Sequence, residues 1–272
     1  MDPKMSPRRR LGALARGACL AACLVLAPAL SMAAKAPAKT RFDPHFFTGA
    51  WDRYPAPGDS GRDPTVKAEI PKDAPPAPLK PEYKADYDAR QKMIAAANVA
   101  GKPIATGYTH CLPDGMPTMM MGMFPMEVLQ TPGQITIIQE AYNQVRRIYL
   151  NEQQITVDDA EPGFWGHSVG HWEGDELVVD TIGIKDYVRF RDVPHSDQMR
   201  IGERMKVIDA NHFQDQVTVT DPKYLTGPWT WTWMYKRRPG YKMYEYVCED
   251  NREYADPVTG QARLRVTQPG GN

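Results

Sequence analysis

The chain has 272 residues and balanced charge, 33 basic side chains against 33 acidic. Residues 1–33 carry five basic residues and Asp2, so without them the count is 28 against 32, a net charge of −4. A mildly acidic protein of this kind argues against nucleic acid or an anionic membrane surface as a partner.

The first residues have a three-part layout. Lys4, Arg8, Arg9, Arg10 and Arg16 form a positive region, and residues 17–30 then carry no charge over 14 positions. Small residues surround Ser31-Met32-Ala33-Ala34. This is the pattern of a secretory signal peptide at 1–33, cleaved after Ala33 or Ala34. The apolar run is short of the roughly 20 residues that span a bilayer, so no membrane span is expected after cleavage. Leu20-Ala21-Ala22-Cys23 resembles a lipoprotein box, and Arg8-Arg9-Arg10-Leu11 loosely resembles a twin-arginine signal. The expected destination is the periplasm or the exterior.

Residues 34–81 are rich in Pro, Lys, Asp and Ala. Such a stretch is expected to be largely extended, because it has little apolar surface to bury. The exception is Phe46-Phe-Thr-Gly-Ala-Trp51, whose aromatic residues can dock on a domain. A domain over 82–262 and a flexible tail at 263–272 complete the chain.

Tyr83, Tyr87 and Ile94 fall near helical spacing, and Gly101 and Pro103 end the run, which predicts a short helix from Pro81 or Glu82 to about Asn98. Beyond it the period changes to two. Strands are predicted at 134–142, 144–150, 168–172, 176–181, 200–209, 213–220, 229–236 and 243–248, with turns at Glu173-Gly174-Asp175, Ala210-Asn211 and Arg238-Pro239-Gly240. About eight strands in neighbouring antiparallel pairs read as an all-β, up-and-down antiparallel barrel, because closure removes exposed edges. The mature chain keeps two cysteines, Cys111 and Cys248. An oxidising compartment and an even count favour a disulfide between them.

Several side-chain groups bear on chemistry. Trp229, Trp231, Trp233 and Tyr235 alternate with Thr230, Thr232, Met234 and Lys236, so all four rings share one sheet face. Tyr244 and Tyr246 share a face of the next predicted strand, and Trp172 ends an earlier one. These rings either fill the core or line a pocket for a flat, apolar ligand. His167 and His171 share a strand face but lie roughly 13 Å apart at the usual rise, too far for one metal ion, so no metal site is assigned. His195, in Pro194-His-Ser-Asp197, precedes a strand carrying Glu203. Of Arg146 and Arg147, one must face into a closed barrel, where Glu140, Glu203 or Asp180 could neutralise it or where it could hold a ligand carboxylate. Met116, Met119, Met120, Met121, Met123 and Met126 are thioethers that either fill gaps or suit Cu(I). No cofactor motif is present.

Cys111-Leu-Pro-Asp-Gly-Met-Pro117, Phe124-Pro-Met-Glu-Val-Leu-Gln-Thr-Pro132, Gly166-His-Ser-Val-Gly-His-Trp-Glu-Gly-Asp175, Pro194-His-Ser196, Asp221-Pro222 and Pro228-Trp229 together resemble a family of exported bacterial proteins over about residues 80–255. The resemblance implies a secreted β-rich domain. It also implies Arg in many relatives where His171 stands, so His171 is not a shared ligand. Phe47-Thr-Gly-Ala-Trp51 resembles the opening of lipocalin-like (calycin) barrels, an analogy of fold alone.

The leading expectation is a barrel that binds a small apolar or aromatic molecule against Trp229, Trp231, Trp233, Tyr235, Tyr244, Tyr246 and Trp172. The alternative is a lyase, isomerase or hydrolase using His167, His195, Glu203 and Arg147 in the same pocket. A copper or zinc handling protein is the third reading, and a structural protein with a filled barrel the fourth. The residues do not decide whether the protein is an enzyme, nor its oligomeric state.

Overall fold

Seven of the eight predicted period-two segments form strands, and the strands close on themselves. The structure, a computed structural model, describes residues 42–56, 66, 68–102, 104, 111–122, 124–248, 253–255 and 262–264. The expected leader, His110, Met123 and most of the expected tail lie outside these residues. The nine strands of the closed barrel, in order around it, are β1 (Gly49–Arg53), β2 (Met126–Thr131), β3 (Gln134–Gln139), β4 (Gln144–Leu150), β5 (His167–Glu173), β6 (Glu176–Ile182), β7 (Arg200–Asp209), β8 (His212–Thr220) and β9 (Trp229–Arg237). A short antiparallel pair follows, β10 (Glu253–Ala255) with β11 (Ala262–Leu264). The helix α1 covers Pro81–Val99, as its spacing predicts. Among the described residues no helix is long and apolar enough to cross a membrane.

Two differences from the expected topology have physical reasons. A closed ring of nine strands cannot alternate direction all the way round, so one neighbouring pair has to be parallel. That pair is β4 and β5, whose long connection over residues 151–166 permits a crossover, while each of the other pairs is antiparallel. Residues 243–248 form no strand. Both edges of β9 are taken, by β8 and by β1, so a further strand has nowhere to pair. The place expected for it is filled from the other end of the chain, where Trp51 of β1 lies opposite Arg237. Residues 241–248 instead cross the outside, with the Tyr241 hydroxyl and the Tyr244 amide both donating to Glu140 Oε2.

The Pro-rich stretch just before α1 is docked rather than loose. Ala74 and Leu79 are buried. Its main-chain oxygens accept from barrel and loop side chains, Trp229 Nε1 to Pro75 O at 2.8 Å and Thr226 Oγ1 to Pro78 O at 3.0 Å. Val66 covers Met234 and Tyr54 on the outer surface.

Cys111 and Cys248 are disulfide-bonded, with a sequence separation of 137 and Cα atoms 5.6 Å apart. The bond ties the segment entering the barrel to the outer strap. Closing so long a loop restricts the unfolded chain, and reduction is expected to lower stability by roughly 2–4 kcal/mol. Urea midpoints with and without reductant measure this directly.

Candidate functional site

The inner face of the barrel is apolar at its ends and polar in the middle. Strand alternation turns Gln144 and Arg146 of β4, Ser168 of β5, Thr181 of β6, Glu203 of β7 and Asp215 of β8 inward, and each is buried. Arg146 and Glu203 have no exposed side-chain surface. Arg146 Nη1 donates to Glu203 Oε1 at 2.9 Å, and Nη2 donates to Oε2. Nε and Nη2 also reach Ser168 Oγ at 3.3 and 3.2 Å, and Nη2 reaches Thr181 Oγ1 at 3.0 Å. The guanidinium therefore spends all its nitrogens on the protein. A buried arginine needs a carboxylate, and of the expected partners Glu203 is the one that supplies it.

Asp215 stands next to this pair on the neighbouring strand, with Glu203 within its reach, although neither of its oxygens makes a well-aligned hydrogen bond. Burial, and after it the negative charge of Glu203, push its carboxyl well above the usual carboxylate range. Across the ladder Asp215 lies opposite Trp233, and Val217 lies opposite Trp231, so Asp215 and Trp231 are diagonal neighbours on the inner face. Trp231 Nε1 is buried and unpartnered.

The aromatic stripe of β9 is where the alternation places it. Trp229, Trp231, Trp233 and Tyr235 all point inward and are buried, and the Tyr235 hydroxyl donates to Met120 O. What the strand pattern does not reveal is the ring that packs on them. Phe190, at the start of the short helical turn Phe190–Asp192 between β6 and β7, has ring centroids 5.4, 4.8 and 5.8 Å from Trp229, Trp231 and Trp233. It lies nearly parallel to Trp231, at 23°. The next two residues, Arg191 and Asp192, are non-glycine residues with φ of 53° and 62°, a conformation that costs energy unless its surroundings impose it. Here they do. Asp192 accepts from Arg90 of α1 at 2.5 Å, and Arg191 donates to Ala74 O at 2.6 Å.

Above this stack lies a cavity of about 20 Å³, the scale of one or two water molecules. It sits at the barrel mouth where β9 begins. Its walls come from Met116 and Pro117, from Val188, Phe190 and His195 of the β6–β7 loop, from Asp221 and Leu225 after β8, and from Trp229. Asp221 binds the loops together, accepting from the Ser196 amide at 2.6 Å, the Ser196 hydroxyl at 2.9 Å and the Lys223 amide at 2.9 Å. His195 has Nδ1 at 3.0 Å from Ser196 O and Nε2 at 2.9 Å from Val188 O. Both ring nitrogens face its own loop, so the imidazole ties the loop together. Two glycines of the quoted motifs are required by close approach. A Cβ on Gly115 (φ +68°) would meet Phe164 O and a Val188 methyl at 2.5 Å, and one on Gly166 (φ +63°) would meet Ile182 O at 2.2 Å.

The remaining expected site residues are dispersed. His167 is on the outer side of β5, bonded to Gln154 Oε1 at 2.8 Å and stacked on Tyr149. His171 is exposed beside Glu173, and Arg147 is exposed on the outer side of β4. His167, His195, Glu203 and Arg147 thus occupy separate places and form no common cluster. Trp172 stacks on His45 at the opposite end of the barrel from Trp229. Tyr244 is 72% exposed, and Tyr246 lies against Phe124 and Tyr142 outside the barrel, because their segment is not a strand. Met116, Met119, Met120 and Met126 are buried in the main core. Among the described residues no group of three or more His, Cys, Asp or Glu side chains converges as a metal site would. In comparison with known proteins, no family model matches the chain and no curated protein is similar to it.

Proposed function

We propose that this is an exported barrel that binds a small, flat, largely apolar molecule at the mouth formed by the start of β9. One observation carries the reading: a single aromatic ring, Phe190, is seated against three tryptophans inside a closed barrel, on a loop whose tip is held in a strained conformation. A ring delivered by a latched loop occupies the place an aromatic ligand would take. The cavity beside it is the part of that place the ring leaves open. Residues from the Cys111–Pro117, Pro194–Ser196, Asp221–Pro222 and Pro228–Trp229 blocks, which carry the resemblance to exported bacterial proteins, wall this one cavity. Export is supported by the leader-like residues 1–33 and accords with the disulfide.

The test is a titration of the mature protein with one-ring and two-ring aromatics, followed by tryptophan fluorescence and calorimetry. Saturable one-to-one binding to the wild type is expected, tightened about tenfold or more in Phe190→Ala, because the variant removes the competing ring. Binding to Phe190→Ala alone would make Phe190 an ordinary core residue and overturn the reading.

A further inference from the structure

We infer that the seat behind Phe190 selects a neutral aromatic molecule carrying a hydroxyl group, held between the Trp231 indole N–H and the Asp215 carboxyl. This rests on the ligand-binding reading above and specifies the ligand class.

At adjacent rungs of the inner face stand a buried indole N–H without a partner and a buried carboxyl without a well-aligned one. Trp231 Nε1 is buried with no hydrogen bond, and the buried Asp215 carboxyl makes no well-aligned one, Glu203 being the side chain within its reach. Leaving such groups unsatisfied costs roughly 1–3 kcal/mol each, and buried indole N–H groups ordinarily find an acceptor. The two side chains come from neighbouring strands, diagonal across the ladder, so their Cβ atoms are roughly 7 Å apart or less. One small group can reach both. Trp231 is also the ring on which Phe190 lies most nearly parallel. A ligand ring replacing Phe190 would lie on the Trp231 indole, with Asp215 one rung away along the inner face.

Charge narrows the class. An anionic ligand would need a free cationic donor, and Arg146 has none, since Glu203, Ser168 and Thr181 take its nitrogens. The same anion would also face Glu203. An ammonium group would satisfy Asp215 but has no lone pair to offer Trp231. A hydroxyl does both at once: it accepts from the indole N–H and donates to a carboxyl oxygen. Burial, and after it the Glu203 charge, favour the protonated form of Asp215, which as a neutral acceptor repels no polar ligand. A purely apolar ring would leave both groups unsatisfied, and sites built to bond a hydroxyl discriminate strongly against analogues without one.

Phenol, toluene, benzylamine and benzoate are the probes, titrated into the full mature chain at neutral pH. Phenol is expected to bind about tenfold or more tightly than toluene. Trp231→Phe and Asp215→Leu should each bring that ratio close to one, chiefly by weakening phenol, and Asp215→Leu should remain folded because it exchanges an unsatisfied group for an apolar one of similar shape. If the aromatics bind but the phenol-to-toluene ratio is unchanged in both variants, this inference fails and the aromatic seat stands. Preference for benzylamine or benzoate also overturns it. A crystal of the phenol-soaked protein showing Phe190 in place, with only ordered water between Trp231 and Asp215, would do the same. If no aromatic binds the wild type, the underlying reading falls first.

Discussion

Arg146→Met is expected to destabilise the barrel by about 3–5 kcal/mol, since it leaves Glu203 as a charge with no partner in a site with no exposed surface. The geometry makes this more than the loss of one ion pair. Ser168 and Thr181 hydroxyls orient toward the guanidinium, so their bonds are lost with it. Glu203→Leu should cost a similar amount for the complementary reason: a buried guanidinium would keep only hydroxyl partners. The double variant Arg146→Met, Glu203→Leu should recover most of the loss, because a well-packed apolar pair is often as stable as the buried ions it replaces. Urea unfolding of the four proteins gives the coupling energy directly. Near-additivity of the two single losses would mean that the pair contributes nothing as a pair and that each side chain matters through packing alone.

The barrel was legible in the sequence because its strands obey one rule, the alternation of inward apolar and outward polar residues, over segments long enough to read. Trp229, Trp231, Trp233 and Tyr235 all satisfy its inward half, and on the outward side only Met234, covered by Val66, departs from it. The inward arginine follows from the same rule, although alternation alone does not say whether Arg146 or Arg147 is the one; the barrel interior takes Arg146 because Glu203 faces it. Strands β1 and β2 are harder to see. Gly49–Arg53 has only five residues and sits inside a Pro-rich stretch, and the Pro132-Gly133 turn after β2 is its clearest mark. Residues 243–248 look like a strand because local pattern carries no information about whether an edge is free.

Phe190 illustrates the other limit. It lies in a loop with no periodicity, and its role depends on three tryptophans some forty residues further along the chain. Nor could the sequence distinguish the roles of its histidines. His195 looks available for acid–base work as a residue type, and only the loop geometry shows both nitrogens turned toward main-chain oxygens of its own loop. Asp215 attracts no notice in Gln214-Asp-Gln-Val217, because its character comes from its place opposite Trp233 and beside Glu203.

Asp215→Asn is expected to stabilise the protein at pH 7 and to have little effect near pH 4. Asn is close to Asp in shape but cannot ionise, so the comparison isolates the carboxyl proton. In the folded barrel, burial first and the Glu203 charge second hold Asp215 protonated well above the usual range. In the unfolded chain the same group ionises with a pKa of about 3.9. Above that value the unfolded state has released a proton the native state still holds, and native stability falls as pH rises until the folded group itself ionises. Below it both states are protonated and the penalty vanishes. The benefit of Asn should therefore grow with pH from about 4, by roughly 1.4 kcal/mol for each unit until the folded carboxyl titrates. Urea midpoints of the two proteins between pH 4 and pH 8 test this. A stability difference that does not change with pH would show Asp215 ionised in the folded barrel. Its oxygens, without a well-aligned partner, would then have to be charged, and the neutral acceptor invoked for a hydroxyl ligand would not exist. A gain in stability from removing the group would instead mark Asp215 as a residue that the fold alone does not require, as expected where a binding site sets aside stability for recognition.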